Sequence, residues 1–374
     1  VTVELQLERV AHGGFVVGRA DGKVVFTVGG LPGERVIVDI TERGSRFDRG
    51  QVTRVLEPAA GRVCEGWPVP PECVGTDWFY ADRDTQLELK TAVVAEQLRR
   101  LAGLEWDGQV EAAPGGLTHW RTRMRYAIDD VGRVGLRAHR SHQVVALPPE
   151  GSVLAVPHPL DPVAEVGRPG DEVIVAISDD GLTCSGPRRT TGPDPVHQSV
   201  LGRTFEVSAR GFWQVHTHAA EQLGSVVLDA LDPQPGERAL DLYCGVGLFA
   251  GALADRGCEV MGLEYGRDAV AHARRNVPEG QFHVTDLNRG VRDIPTDADL
   301  VVLDPPRKGA GARVVRAVAE AGPRAVAYVA CDPAALARDL ATFEAAGYRP
   351  DWIRGFDLFP LTHHVECVAL LTRP

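Results

Sequence analysis

At 374 residues the chain is too long for one ordinary hydrophobic core and is expected to divide into two or three domains. Its 44% hydrophobic and 24% charged content is that of a folded globular protein, and the lack of any long uncharged apolar run argues against a membrane protein. Seven cysteines, an odd count spread thinly, do not describe a disulfide framework and point to catalytic or metal chemistry; an opening of Val1-Thr2-Val3-Glu4-Leu5, without the layout of a secretory signal, gives the expectation of a cytoplasmic protein with reduced thiols.

Residues 3–56 alternate apolar and polar side chains in short runs punctuated by Gly13-Gly14, Asp21-Gly22, Gly29-Gly30 and Pro32-Gly33. This is the pattern of a small all-β barrel over 1–57, with Asp21-Gly22 turning a hairpin between Phe15-Val16-Val17 and Val24-Val25-Phe26. A proline- and glycine-rich linker over 58–71 leads into an irregular, cysteine-containing segment. Leu87, Leu89, Val93, Val94, Leu98 and Leu101 then recur at helical spacing, which predicts a helix near 85–104 with Gly103 as its stop. Short β-like runs return from Trp120 to about Ile174, so 58–200 is expected to be a small β-rich central domain. Within it Arg121, Arg123, Arg125, Arg133, Arg137 and Arg140 are opposed only by Asp129 and Asp130. A net charge of -11 argues, taken alone, against a polyanionic partner, but a local basic stripe overrules a total; the competing reading is a solvated strand face.

From 201 to 374 strands and helices alternate, the signature of a parallel sheet covered on both faces. Strands are expected at Ala239–Leu242, Val260–Leu263, Leu300–Leu303 and Ala325–Val329. Trp352–Asp357 and Val365–Leu371 are expected to close the chain as an antiparallel hairpin at one edge of the sheet.

The strand ends carry the chemistry. Gly245 and Gly247 permit a tight turn into a helix and a close approach of backbone to a ligand. Glu264, at the end of the second strand, suits the hydroxyls of a ribose, and Asp286 an adenine amino group. Asp304-Pro305-Pro306-Arg307 forms a stiff loop that holds Asp304 at the sheet edge. One strand further on, Cys331 precedes a helix expected to open at Asp332-Pro333, where the helix dipole favours thiolate. Glu366 is the expected base, with His363 or His364 as substitutes, while Cys244, Cys258 and Cys367 sit within or beside strands as structural cysteines. A glycine turn, a polar-proline loop and a thiol nucleophile in that order point to methyl transfer to carbon 5 of a pyrimidine, activated by thiolate addition at carbon 6.

The first 57 residues resemble a TRAM domain, an OB-like RNA-binding module. Across nearly its whole length the chain resembles the RNA 5-methyluridine methyltransferase family, on the blocks Asp241-Leu242-Tyr243-Cys244-Gly245-Val246-Gly247, Asp304-Pro305-Pro306-Arg307 and Cys331-Asp332-Pro333. The resemblance implies a class I, Rossmann-like α/β methyltransferase domain behind the barrel and the β-rich domain, S-adenosylmethionine as cofactor, and uridines of tRNA or large-subunit rRNA as substrate. It places the nucleophile at Cys331, the base at Glu366, and the cofactor at Gln214, Tyr243, Gly245, Gly247, Glu264, Asp286 and Asp304. Arg121, Arg123 and Arg125 match its RNA-facing strand. The chain departs from the family at Ala330 and Asp332, usually serine and asparagine, and at His216 and Leu248, both usually asparagine. Many members hold an iron–sulfur cluster on four cysteines; Cys64 and Cys73 are too widely spaced here, with Thr76 and His158 in ligand positions, so no ordinary cluster is expected. The alternatives are methylation of another base, such as cytosine, and an RNA-binding protein with a decayed cofactor pocket.

Overall fold

The structure is a computed structural model that describes residues 1–63, 76–138 and 141–373; Cys64, Cys73 and Arg140 lie outside the described residues. The chain starts as a closed barrel of β1 (Thr2–Ala11), β2 (Phe15–Ala20), β3 (Lys23–Val28), β4 (Arg35–Arg43) and β5 (Phe47–Glu57), in the order β1-β2-β3-β5-β4. Alternation sends Leu5, Leu7, Val16, Val25, Val36 and Val38 inward as its core. Asp21 and Gly22, with φ of 49° and 81°, make the two-residue turn whose left-handed backbone matches the twist of the β2–β3 hairpin.

Helix α1 (Arg83–Ala102) is capped by Asp82, whose side chain accepts from Thr85 N at 2.8 Å, and stops at Gly103 in the left-handed conformation. The sequence groups this helix with the central β-rich segment, and the structure corrects that. Leu89 and Val93 pack with Val10, Leu31, Trp78 and Tyr80 beneath the barrel, while Val94 and Leu98 join the core of the large sheet. The helix is a wedge between the first and last parts of the chain because it is apolar on two faces.

After β6 (Val110–Ala112) come β7 (Arg123–Ile128), β8 (Val134–Arg137), β9 (Val144–Ala146), helix α2 (Asp161–Val166), β10 (Glu172–Ser178), β11 (Gly181–Ser185) and β12 (Thr190–Thr191). These strands form one sheet, β12-β11-β10-β7-β8-β9, over a core that includes Trp120, Tyr126, Val163, Val173 and Val175. A two-stranded ribbon, β13 (Val196–Val200) and β14 (Arg203–Val207), leads into the last part.

That part comprises α3 (Ala219–Leu231), β15 (Arg238–Leu242), α4 (Leu248–Ala254), β16 (Glu259–Glu264), α5 (Arg267–Asn276), β17 (Gln281–Val284), β18 (Leu300–Leu303), α6 (Ala312–Ala321), β19 (Ala325–Ala330), α7 (Pro333–Ala345), β20 (Arg349–Asp357) and β21 (Glu366–Thr372). Leu300 and Val302 of β18 face α3, α4 and α5, while Val301 and Leu303 face α6, α7 and α1, so both faces of the sheet are dry. The sheet order is β17-β16-β15-β18-β19-β21-β20-β6. The closing hairpin is therefore not at an edge: β6 adds in parallel outside β20, pairing Val110 with Gly355. A three-residue strand carries too little periodicity to be read from sequence. Among the described residues no helix is long and apolar enough to cross a membrane.

Candidate active site

Four parallel strands, β15, β16, β18 and β19, end on the same edge of the sheet, and β21, running the other way, begins there. A cavity of about 910 Å³ opens at this edge, lined by Gln214, Tyr243, Gly245, Glu264, Asp304, Arg307, Cys331 and Glu366 among others. The register decides who meets whom. Ala330 of β19 pairs with Cys367 of β21, so one residue further on Cys331 stands opposite Glu366. Among the described cysteines Cys331 alone is only partly buried; Cys184, Cys244, Cys258 and Cys367 are buried, although Cys244 also touches the cavity wall.

The glycine turn works differently at its two glycines. Gly245, with φ of 54°, lines the cavity, and its N–H donates to Glu264 Oε2 at 3.2 Å. Gly247 is the N-cap of α4, with φ of 91°, and a Cβ there would press on Val277 at 3.3 Å. It packs against Val277 and Ala273, between Val246 and Leu248, which both line the cavity. Tyr243 holds φ of 65°, an unusual strain for a bulky residue at the turn itself. Glu264 also accepts from Gly266 N at 2.7 Å, so its carboxylate is fixed by two backbone donors. Asp286 lies just beyond the lining, where Thr285, Leu287 and Asn288 face the cavity; its carboxylate binds Asn288 N at 3.0 Å and pairs with Arg289.

The electrostatics of this edge are one-sided. Burial, with help from Asp304, pushes Glu366 well above the usual carboxylate range, and burial with Glu264 pushes Asp304 up to about 7. Burial, Glu366 and Asp304 push the Cys331 thiol up to about 12. The help that the helix dipole is expected to give the thiolate is opposed here by burial and by the converging acids. Arg307 is the cation that opposes them, lowering both Cys331 and Glu366. Such a cavity has a deficit of positive charge.

The histidines are less suited to act as the base. Burial, His363 and Arg307 push His364 down to about 3, and its Nε2 lies 3.4 Å from an Arg307 guanidinium nitrogen, so it is a neutral acceptor. His363 Nδ1 is bound to Asp77 at 2.6 Å. Asp77, 286 residues away in sequence, carried no sequence signal, and neither did Phe212 and Tyr265, exposed aromatics on the cavity rim.

The arginine stripe divides. Arg121 lines the cavity, its Nε donating to Arg123 O, and Arg125 is exposed beside Glu172. Arg123 is buried: one nitrogen donates to the carbonyls of Ser208, Ala209 and Gly211, at 3.3, 3.0 and 2.9 Å. Its expected outward role is corrected: Arg123 shares a strand face with Arg125, but the 208–211 loop covers the end of that face where Arg123 lies and takes its hydrogen bonds. His216 is likewise internal, stacked on Trp120 with its Nδ1 accepting from His218 N, and Leu248 lines the cavity. His158 has both ring nitrogens engaged, by Tyr126 at 3.1 Å and Val156 O at 2.7 Å, and Thr76 supplies no thiolate, so these two positions do not fit a metal ligand set.

The tRNA (Uracil-5-)-methyltransferase family matches residues 288–374, the TRAM domain residues 1–53, and the Methyltransferase small domain residues 215–327. The chain is 41% identical to an uncharacterized RNA methyltransferase of Streptomyces avermitilis, covering 98% of this chain and 97% of that protein. It is 35% identical to one of Bifidobacterium longum, over 99% and 96%. Its fold is similar to that of the Pyrococcus abyssi tRNA (uracil-54, C5)-methyltransferase solved with S-adenosyl-L-homocysteine, with a TM-score of 0.75 and 22% identity over 99% of this chain and 100% of that one.

Proposed function

The chain belongs to the S-adenosylmethionine-dependent RNA 5-methyluridine methyltransferase family, and from that premise we propose that it methylates a uridine of tRNA or large-subunit rRNA through a transient bond between Cys331 and carbon 6 of the base. The observation that carries this reading is the β19–β21 register, which sets Cys331 opposite Glu366 on the cavity that Gly245, Glu264 and Asp304 also line.

The donor set fits the cofactor: Glu264, fixed by two backbone donors, would accept from the ribose hydroxyls, Gln214 and Asp304 would help to hold it from the same cavity, and the acidic surroundings suit a cation. S-adenosylmethionine supplies an electrophilic methyl group on a sulfonium whose positive charge favours the ionised forms of Asp304, Glu366 and Cys331. Cys331 Sγ, having lost its proton to water, adds to carbon 6 of the uracil, and the electron pair of the carbon 5–carbon 6 bond becomes an enolate. Carbon 5 then takes the methyl group as the methyl carbon–sulfur bond breaks, its electron pair staying on sulfur to leave a neutral thioether. Glu366 then removes the remaining carbon 5 proton, the thiolate leaves carbon 6, the double bond is restored, and Glu366 passes its proton to solvent. Arg121 and Arg307, which both line the cavity, would meet the RNA phosphates around a splayed base.

Incubation with S-adenosylmethionine and 5-fluorouridine-substituted tRNA or rRNA tests the reading, because fluorine at carbon 5 blocks the last step. A denaturation-resistant adduct is expected with one of the two RNAs and is lost in Cys331→Ala. Glu366→Gln is expected to accumulate the adduct on ordinary RNA. An adduct that persists in Cys331→Ala removes Cys331 as the nucleophile.

A further inference from the structure

We propose that His12, in the barrel's β1–β2 turn, is a positioning residue for the nucleophile: it holds the Asp332 carboxylate that caps the helix behind Cys331, so that the N-terminal barrel completes the catalytic site as well as serving RNA. The proposal rests on the reading of Cys331 as the nucleophile.

Asp332 has two tasks. As N-cap of α7, its Oδ1 accepts from Ala335 N at 2.7 Å, fixing the turn that ends in Cys331; its Oδ2 lies 3.0 Å from His12 Nε2. One carboxylate thus joins the helix behind the nucleophile to a barrel 320 residues earlier in the chain. The same barrel turn meets the segment that leads to Glu366. Gly14, with φ of 83°, lies so close under His363 that a Cβ would sit 2.9 Å from the His363 Cβ, and its carbonyl accepts from Trp78 Nε1 at 3.3 Å. His363 is held in turn by Asp77, through its backbone N at 3.2 Å and Nδ1 at 2.6 Å. Residues 12–14 therefore touch both arms of the site, one carrying the thiol and the other the base.

Burial raises Asp332, and the His12 hydrogen bond, the Ala335 N–H and Arg338 bring it below the ordinary carboxylate range, so the carboxylate that fixes the turn beside Cys331 stays an acceptor. A part-exposed pair of this kind contributes little to stability, so its removal leaves a folded protein. The barrel stays anchored by Arg62–Glu34 and by the packing of Val10 and Leu31 on α1.

The test reads the thiol itself. The rate of Cys331 alkylation by iodoacetamide at about pH 8, read by peptide mass spectrometry, is combined with single-turnover methyl transfer and RNA affinity. His12→Ala is expected to slow alkylation about threefold and methyl transfer about fivefold, with RNA affinity within about twofold. His12→Gln keeps a donor toward Asp332 and is expected to restore both rates. In an Asp332→Ala background, which lacks the carboxylate, His12→Ala is expected to be silent. Unchanged rates in His12→Ala, no recovery with Gln, or additive effects in the double variant would each overturn the proposal. Because alkylation needs no RNA, a wild-type protein that alkylates normally but methylates no RNA counts against the function and leaves the His12 test standing.

Discussion

Asp304 shows how one residue trades stability for chemistry. Burial and Glu264 raise it to about 7, above its unfolded value near 3.8. The folded protein therefore binds this proton more tightly than the unfolded chain does, and stability is highest below the unfolded value and is lost as pH rises through about 7. Asp304→Asn removes the cost of an ionised acid in that place. We expect its Tm to exceed that of the wild type by several degrees at pH 8 and to match it at pH 5, while S-adenosylmethionine binding measured by calorimetry is lost. A Tm gain of equal size at both pH values would mean that the acid is not what strains the site. Cys331, Glu366, Glu264 and Asp304 were all legible in the sequence as polar residues at strand ends. Their protonation was not, since it depends on acids brought together from 264, 304, 331 and 366 by the sheet edge.

At the scale of elements, α1 shows what periodicity reveals and what it omits. Its position was predicted within two residues by apolar spacing and Gly103, yet its partners were not, because polar side chains of the helix, Gln86 and Lys90 among them, are buried. Lys90 Nζ binds Asp357 at the end of β20 and Phe359 O at 3.0 Å, and Gln86 accepts from Leu361 N at 2.7 Å. The helix thus props the 358–365 segment that precedes Glu366. Lys90→Met strands a buried carboxylate and is expected to destabilise the protein by about 3–5 kcal/mol in denaturant titration. Adding Asp357→Asn should recover part of that loss, and a single variant as stable as the wild type would exclude this prop. The strands β18 and β19 were placed almost to the residue because continuous apolar runs admit few alternatives, whereas β6 escaped because three residues do not make a pattern.

For the whole molecule, the puzzle is an RNA enzyme with a net charge of -11. The outer face of the barrel offers a local solution. Phe15, Phe26 and Phe47 stand edge to face at 5.9 and 5.2 Å, with the Arg49 guanidinium 5.5 Å from the Phe47 ring. Arg43, Arg46 and Arg54 belong to the same stretch of chain. Aromatic rings beside arginine suit splayed bases and their phosphates, and stacking of this kind contributes about 1–3 kcal/mol per base. Phe47→Ala and Arg49→Ala are each expected to weaken RNA binding about tenfold, with only Arg49→Ala flattening the dependence on salt. Equal RNA affinity in both variants, measured by filter binding, would direct attention to the Arg121 and Arg125 side instead.

By itself the sequence determined the kinds of element, their order and the residues that could react, because period-two and period-3.6 patterns, turn glycines and short chemical motifs are local properties of the chain. Only the tertiary structure decided that the 208–211 loop covers Arg123, that Gly247 packs against Val277, that α1 spans two parts of the molecule and that His12 reaches Asp332. Those outcomes rest on contacts between segments far apart in the chain, and such contacts follow from strand register and packing, which no local pattern encodes.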